Sequence, residues 1–195
     1  MWQRGLAAVV AVVAAACSAG AHGFTREEVP DIVLQADEAP EGTRIVAGVG
    51  GEQDLDAFAR DATERAALVD DGFVSGYVSY FAPEAYFDPE QFVADDAISF
   101  QVIAGLFEEP AGASSSLDRF MGDLRDRQLE GAETIAAPDL GDESHGLSGR
   151  SSSDGTEVVV FLWRRDNLIL VLVGSGPVDE AAMTAAARAM AVRTG

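Results

Sequence analysis

The chain has 195 residues, of which 48% are hydrophobic and 24% are charged, so it has the composition of one globular domain rather than of a disordered chain. Asp and Glu number 33 against 13 basic residues, all of them Arg, and the formal net charge is -20. A surface of this charge repels phosphate backbones, which excludes nucleic acid as an expected partner. An acidic surface is also a common route to solubility, so the charge by itself does not require that the protein bind a cation.

The sequence opens with a short apolar segment. Arg4 precedes residues 6–16, which contain no polar side chain. The segment is shorter than the roughly 20 residues that a helix needs to cross a bilayer. It has the form of the hydrophobic region of a secretory signal, so we predict a signal peptide over residues 1–16.

The only cysteine of the chain, Cys17, follows three alanines. Small residues before a cysteine resemble the lipobox of bacterial lipoproteins, in which the cysteine is acylated and becomes the first mature residue. An acylated thiol also escapes the oxidation to which an unpaired cysteine outside the cell is exposed. We therefore predict lipidation of Cys17, a tether over residues 17–25 and a membrane contact through the lipid. The alternative is an ordinary secretory signal that is cut before Cys17 or after Ala21.

A single α+β domain is predicted over residues 26–195. Thr25 and Glu28 have capping-box spacing and start a helix-like stretch that Pro30 interrupts. Residues 83–96 are acidic and aromatic, and they predict a lid or a sheet edge. The other elements predicted for this half are a strand over 43–49, a helix over 54–69, strands over 73–81 and 97–107, and a helix over 117–129.

The second half is predicted to contain three strands and a last helix. These strands cover 141–149, 156–164 and 168–173, and the helix covers 178–192. Asp166 and Asn167 tolerate positive φ, which predicts a hairpin turn between the last two strands. Links of hairpin length favour an antiparallel sheet, and we predict that three helices pack on one face of it. The order of elements also suggests two similar halves.

Short motifs in the second half carry a resemblance to a known group. Gly141-Asp142-Glu143 precedes a predicted strand, and Arg165-Asp166-Asn167 precedes an apolar strand and the last helix. This layout resembles a loosely defined group of bacterial extracytoplasmic lipoproteins with a Gly-Asp-Glu motif and an Arg-Gly-Asn hairpin. It is also similar to the sensor domains of transmembrane kinases in mycobacteria, which are thought to bind ligands. The resemblance implies binding or sensing outside the cytoplasmic membrane rather than catalysis.

The sequence contains no recognisable catalytic or metal motif. Its two histidines, His22 and His145, and its one cysteine are too few for a standard zinc site, and no acidic run has the spacing of an EF-hand loop. Ser148, His145 and Asp142 lie on one short segment, and no G-x-S-x-G motif supports a hydrolytic triad. We therefore expect no catalytic residue, no metal and no cofactor.

Two sets of side chains remain as candidates for a binding site. One is a charge cluster at the start of a predicted strand, and the other is a group of rings between residues 77 and 86. The sets are Asp142, Glu143 and Arg165, and Tyr77, Tyr80 and Tyr86. The charges either pair across strands and fix the register of the sheet or line a cleft. The rings either line a pocket or belong to the core.

Three functions remain open from the sequence. The first is a lipid-anchored extracytoplasmic protein that binds a small molecule or an envelope protein and has no catalytic activity. The second is a hydrolase acting at the cell wall, which requires two acids in one cleft and a raised pKa in one of them. The third is an accessory subunit of an envelope complex, which requires an exposed apolar patch.

Overall fold

The computed structural model describes residues 23–87 and 97–195, so the predicted signal peptide, Cys17 and much of the segment 83–96 lie outside the described residues. The described chain forms a seven-stranded antiparallel sheet with the strand order β1-β2-β3-β7-β6-β5-β4. Its strands are β1 (Thr43–Gln53), β2 (Phe73–Pro83), β3 (Ser99–Phe107), β4 (Leu129–Ile135), β5 (Glu143–Ser151), β6 (Glu157–Arg165) and β7 (Leu168–Ser175). The predicted α+β class and the antiparallel sheet are confirmed.

Helices of very different lengths accompany the sheet. The α-helices are α1 (Val29–Ile32), α2 (Leu55–Phe58), α3 (Ala62–Asp70), α4 (Pro110–Asp123) and α5 (Glu180–Val192). A π-helical turn, Leu124–Gln128, joins α4 to β4. Among the described residues, no helix has both the length and the apolar character that crossing a membrane requires.

The sheet consists of two meanders that meet at its centre. Strands β1 to β3 form one meander and β4 to β7 form the other, and the two are joined by the antiparallel pair β3 and β7. Because each neighbour is antiparallel to the next, β4 runs parallel to β3. The chain reaches β4 through α4, which packs against β3, β6 and β7 on the way. This crossover places α4 over the middle of the sheet.

Both faces of the sheet are covered. On one face, Leu170 and Trp163 belong to a core that includes residues of α1 and α5. On the other face, Ile169 and Leu162 belong to a core that includes residues of α3 and α4. The prediction that the helices pack on one face is therefore wrong. Since both alternating sets of side chains in β6 and β7 are apolar, each face needs a cover.

The predicted helix over 54–69 is two helices. Asp61 accepts hydrogen bonds from the backbone N–H groups of Thr63 and Glu64, each at 2.8 Å, and caps the start of α3. Between α2 and α3, Ala59 and Asp61 have extended backbone, although the apolar side chains keep a helical spacing through this segment. The hydrogen bonds to Asp61 therefore decide where α3 begins, and the apolar periodicity of the segment does not.

Two further bounds differ from those predicted. Helix α4 begins at Pro110, because proline suits the first helical turn, and the serines at 114–116 lie inside the helix rather than at its cap. Strand β4 was not predicted at all. It is an irregular edge strand in which Gly131 has a φ of 63° and the register shifts between Glu130 and Glu133.

The two ends of the described chain lie against each other. After α5, Arg193 donates from Nη2 to the backbone oxygen of Val33 at 2.9 Å and to Oε2 of Glu38 at 2.8 Å. The hydrogen bond from Arg193 lowers the pKa of Glu38, although burial opposes this. The ion pair therefore fastens the segment after α1 to the end of α5.

Candidate functional site

A groove crosses the face of the sheet that carries α3 and α4. Two adjoining cavities of about 420 and 310 Å³ form it, and they share Gln101, Ile103, Phe120 and Gln128. We call this the cross-strand groove; it extends from Val49 at the β1 end to Thr156 at the β6 end. Its floor is made of strand side chains, and its walls are the segment around α2 and the π-helical turn after α4.

The groove lies at one end of the sheet. In the sheet register, Ser175 stands opposite both Ser99 and Val158, so β3 and β6 start where β7 ends. All three of these residues line the groove. The opposite end of the sheet contains the turn between β6 and β7, where Asp166 has a φ of 53°.

Neutral polar groups contact each other on the groove floor. Gln101 and Tyr80 are direct neighbours in the register of β3 and β2. The Nε2 group of Gln101 donates to the hydroxyl oxygen of Tyr80 at 3.0 Å. This bond orients both side chains on the floor of the groove, since each limits the rotation of the other.

One arginine connects the two walls. Arg60 donates from Nε and Nη2 to the two carboxylate oxygens of Glu64, at 2.8 Å each, and from Nη1 to Asp123. Arg127 also pairs with Asp123. The guanidinium carbon of Arg60 lies 5.9 Å from the ring centre of Phe120, within cation–π range. Arg60 thereby links the start of α3 to the end of α4.

The charges in this wall are stabilised as ions. Asp123 is only 7% exposed. Burial alone raises the pKa of a carboxyl, but hydrogen bonds from Arg60 and Gln128 outweigh it, so the pKa of Asp123 lies below its ordinary value. The pKa of Arg60 is raised, mainly by its hydrogen bond with Glu64. A hydrolase acid needs the opposite shift, and this geometry therefore does not favour the hydrolase hypothesis.

The predicted charge cluster is assembled at the other end of the sheet. Glu143 stands directly opposite Arg164 in the register of β5 and β6. Asp142 has Nη1 of Arg164 at 3.2 Å and Nη1 of Arg165 at 3.4 Å, and it accepts a hydrogen bond of 2.7 Å from the backbone N–H of Asp166. These contacts tie the start of β5 to the β6–β7 turn, which is the structural role that the sequence suggested as one alternative. Asp142 and Arg165 also line an open cavity of about 530 Å³ beside this turn, so they meet the other alternative, charges that line a cleft, as well.

The three candidate tyrosines do not share a pocket. Tyr80 lines the cross-strand groove. Tyr77 packs against the core on the opposite face of the sheet. Tyr86 lies in the turn after β2, is 60% exposed and meets the ring of Phe87 edge to face at 5.4 Å between centroids. Odd and even residues of β2 point to opposite faces, which is why Tyr77 and Tyr80 are separated.

Several groove residues were not found from the sequence. Asp123, which lies in the wall beside the groove rather than in its lining, did give a signal, because it lies three residues after Phe120 and would share a helix face with apolar side chains. Gln101 and Gln128 gave none, since their meeting depends on how the strands are ordered in the sheet. Across residues 23–87 and 97–195, no group of three or more His, Cys, Asp or Glu side chains is placed to hold a metal ion.

Comparisons with known proteins give a shared fold and no family. Neither a protein-family model nor a curated protein matches the sequence. The extracellular domain of PknH from Mycobacterium tuberculosis is similar with a TM-score of 0.56 and 7% identity, over 90% of this chain and 98% of that domain. The two chains share a fold. The resemblance in layout to a mycobacterial kinase extracellular domain is confirmed at the level of the fold, whereas no match supports the Gly-Asp-Glu lipoprotein group.

A second solved structure is less similar. It is a putative uncharacterized protein from Mycobacterium smegmatis, the Rv0999 ortholog, with a TM-score of 0.42 and 12% identity. The similarity covers 80% of this chain and 92% of that one.

Proposed function

We propose that the protein is a lipid-anchored binding or sensing protein of the extracytoplasmic side, without catalytic activity, which takes its ligand in the cross-strand groove. The observation that carries this proposal is the shared fold with the extracellular domain of PknH, which spans 98% of that domain. A fold alone does not define an activity, so the site itself has to support the proposal.

The groove has the features of a ligand site. Its larger cavity, of about 420 Å³, falls in the size range of ligand pockets, which is roughly 300–1,000 Å³. Apolar rings and a few fixed polar groups line it, as in most ligand sites. The link from Arg60 to Asp123 holds the two walls together before any ligand arrives, which reduces the entropy lost on binding.

The lack of catalysis is proposed from the state of the acids in this region. Glu64 and Asp123 both bond to Arg60, and the pKa of Asp123 is lowered. An ionised carboxylate that is already paired with a guanidinium cannot act as a general acid at neutral pH.

The anchor is proposed from the sequence, through the apolar leader and Cys17. Mass spectrometry of the mature protein from a bacterial host tests it. We expect a chain that starts at an acylated Cys17 and fractionates with membranes, and a Cys17→Ala variant that is released from them. A mature chain that starts at His22 and carries no lipid would contradict the anchor.

Photo-crosslinking in the intact membrane tests the groove. A photoreactive residue at Val49, which is 50% exposed and lines the groove, is compared with the same residue at Val192, which is 80% exposed on α5. We expect a discrete adduct at position 49, identified by mass spectrometry, and none at position 192. Equal labelling at both positions, or no adduct at position 49, would contradict binding in the groove.

A further inference from the structure

The charge of the groove differs from that of the whole chain, and this difference bears on the ligand that the proposed function leaves open. The chain has a net charge of -20, yet among the described residues the cross-strand groove is lined by only three charged side chains, Arg60, Glu64 and Asp154. Arg60 and Glu64 pair with each other at 2.8 Å. Asp154 lines only the β6 end of the groove and is exposed to solvent. On the floor between β1 and β3, a charged ligand would lose hydration without gaining an opposite charge, which favours a neutral one.

Most of the polar groups that line the groove are neutral hydrogen-bonding side chains. The amides of Gln53, Gln101 and Gln128 and the hydroxyls of Tyr80 and Thr156 line the groove. An amide has two donor hydrogens and an acceptor oxygen, and a hydroxyl both donates and accepts. The Tyr80 hydroxyl accepts from Gln101 and keeps its own hydrogen for a further partner. Such groups match a ligand whose own hydroxyls donate and accept.

Aromatic rings supply the apolar part of the same surface. Phe58 and Phe120 line the groove beside the polar floor. One face of the Phe58 ring is stacked on Phe73, with ring centres 4.8 Å apart, so Phe58 has only its other face for a ligand. A sugar ring has apolar C–H faces and a hydroxyl-bearing edge, so it can pack on a phenyl ring while its hydroxyls reach the floor.

Each glutamine amide has one partner inside the protein: Nε2 of Gln101 donates to Tyr80, that of Gln128 to Asp123, and that of Gln53 to the backbone oxygen of Gly51. A fatty acyl chain would satisfy none of their remaining donor and acceptor positions, at a cost for each buried polar group.

The shape of the groove favours a chain over a single ring. From β1 to β6 it spans four strand spacings, which is about 19 Å. The strands of the floor, β2, β3, β7 and β6, are each paired on both sides, so they present no open backbone edge for an added peptide strand. Contacts with the floor must therefore be made through side chains.

We propose that the cross-strand groove binds a neutral oligosaccharide. The ligand lies across the strands, with its hydroxyls on Gln101, Gln128 and Tyr80 and its ring faces on Phe58 and Phe120. This inference rests on the proposed function, because it names the ligand class of that same groove.

Nuclear magnetic resonance titration of the mature protein tests the ligand class. The probes are neutral oligosaccharides of the chito-, cello-, malto- and manno-series, an oligogalacturonate, and a neutral alanine-glycine peptide of similar length. We expect saturable shifts of the glutamine side-chain amide signals with at least one neutral oligosaccharide. The charged oligogalacturonate and the peptide should produce no saturable shift.

A matched pair of tyrosine variants locates the binding. Tyr80→Phe removes one hydroxyl from the groove floor and should weaken the oligosaccharide about fivefold, the effect of one neutral hydrogen bond. Tyr86→Phe removes an exposed hydroxyl outside the groove and should leave the affinity unchanged. Tyrosine and phenylalanine differ by a single atom, so both variants are expected to fold.

Three results would overturn the inference. One is saturable binding of the peptide or of the oligogalacturonate without any neutral oligosaccharide. Another is that no neutral oligosaccharide binds at all. The third is equal weakening by Tyr80→Phe and Tyr86→Phe. The photo-crosslinking adduct at position 49 is measured independently of the titration. If it forms but no neutral oligosaccharide binds, the oligosaccharide is rejected while binding in the groove is still supported. If an oligosaccharide binds but no adduct forms at position 49, the proposed function is contradicted instead.

Discussion

Asn167 holds the backbone of Phe24 with both ends of its side-chain amide. The N–H of Phe24 donates to Oδ1 of Asn167 at 2.7 Å, and Nδ2 of Asn167 donates to the backbone oxygen of Phe24 at 3.1 Å. The same Nδ2 also donates to the backbone oxygen of Phe107 at 2.8 Å. A single buried side chain thus joins the start of the described chain to the end of β3 and the β6–β7 turn.

We expect Asn167→Ala to lower the free energy of unfolding by about 2–3 kcal/mol, because it leaves buried backbone groups without partners. The amide of Phe24 should also lose its protection from hydrogen exchange. Urea unfolding and hydrogen exchange of the mature chain measure the two effects. As a control, Ser152→Ala removes an exposed hydrogen bond and should change stability by less than about 0.5 kcal/mol. Unchanged exchange at Phe24 would refute the role of Asn167.

The buried carboxylate of Asp123 should make stability depend on pH. Asp123→Asn is expected to cost about 2 kcal/mol at neutral pH, since it removes the negative charge that pairs with Arg60 and Arg127. The pKa of Asp123 is lowered on folding, so its contribution is complete above the unfolded value of about 3.9 and is lost as the pH falls below it.

Unfolding measured over a pH series checks this prediction. The difference in the free energy of unfolding between the wild type and Asp123→Asn should be constant from neutral pH down to mildly acidic pH. It should shrink below a pH of about 4. Asp118→Asn changes an exposed carboxylate on the same helix and serves as the control. If the difference in the free energy of unfolding between wild type and Asp123→Asn persisted below a pH of about 4, the stabilising role of the ionised Asp123 carboxylate would be contradicted.

The parts of the fold that the sequence predicts are those that local chemistry determines. Alternation identifies β2, and the turn residues Asp166 and Asn167 identify the β6–β7 hairpin, because the turn geometry needs positive φ at Asp166. Strand β4 has no comparable signal. Its sequence LEGAETI contains two glutamates and a glycine, and it is a strand because β5 offers it an edge.

The cross-strand groove could not be predicted from the sequence, for a related reason. Gln101 and Ser175 are brought together because β7 inserts next to β3, and no local pattern specifies that neighbour. The charge cluster was predictable, since Glu143 and Arg164 lie on strands joined by a short connection. Long-range strand order, rather than any residue preference, therefore determines where the cross-strand groove forms.

Two glycines of α4 should respond in opposite ways to alanine. At Gly112 a Cβ atom would collide with the backbone oxygen of Asp71, at the end of α3. Gly112→Ala is therefore expected to cost about 2 kcal/mol or more, because the two helices must move apart. At Gly122 a Cβ atom would meet nothing within 4 Å, and Gly122→Ala should stabilise the protein by about 0.5–1 kcal/mol. Thermal or urea unfolding of both variants tests this prediction. A change of the same sign in the free energy of unfolding of both variants would contradict the packing of α4 on α3.

If Cys17 is anchored in a membrane, the Asn167 contact also favours one orientation of the sheet relative to that membrane. Six residues separate Cys17 from Phe24, so the lipid and the Asn167 contact are at most about 25 Å apart. Strand β7 has eight residues and is about 25 Å long, and the cross-strand groove lies at its far end, at Ser175. The groove should therefore open away from the lipid surface.

Fluorescent labels at the two ends of the sheet test this orientation in vesicles that hold the lipidated protein. Glu109→Cys places a label near the Asn167 end, and Ser153→Cys places one at the β5–β6 turn, near the groove; both positions are exposed. Because Cys17 is the only natural cysteine and would be acylated, each introduced thiol is the only one that reacts. A quencher dissolved in the lipid should act more strongly on the label at position 109. Stronger quenching at position 153 would place the groove against the membrane, where a ligand could reach it only from the lipid side.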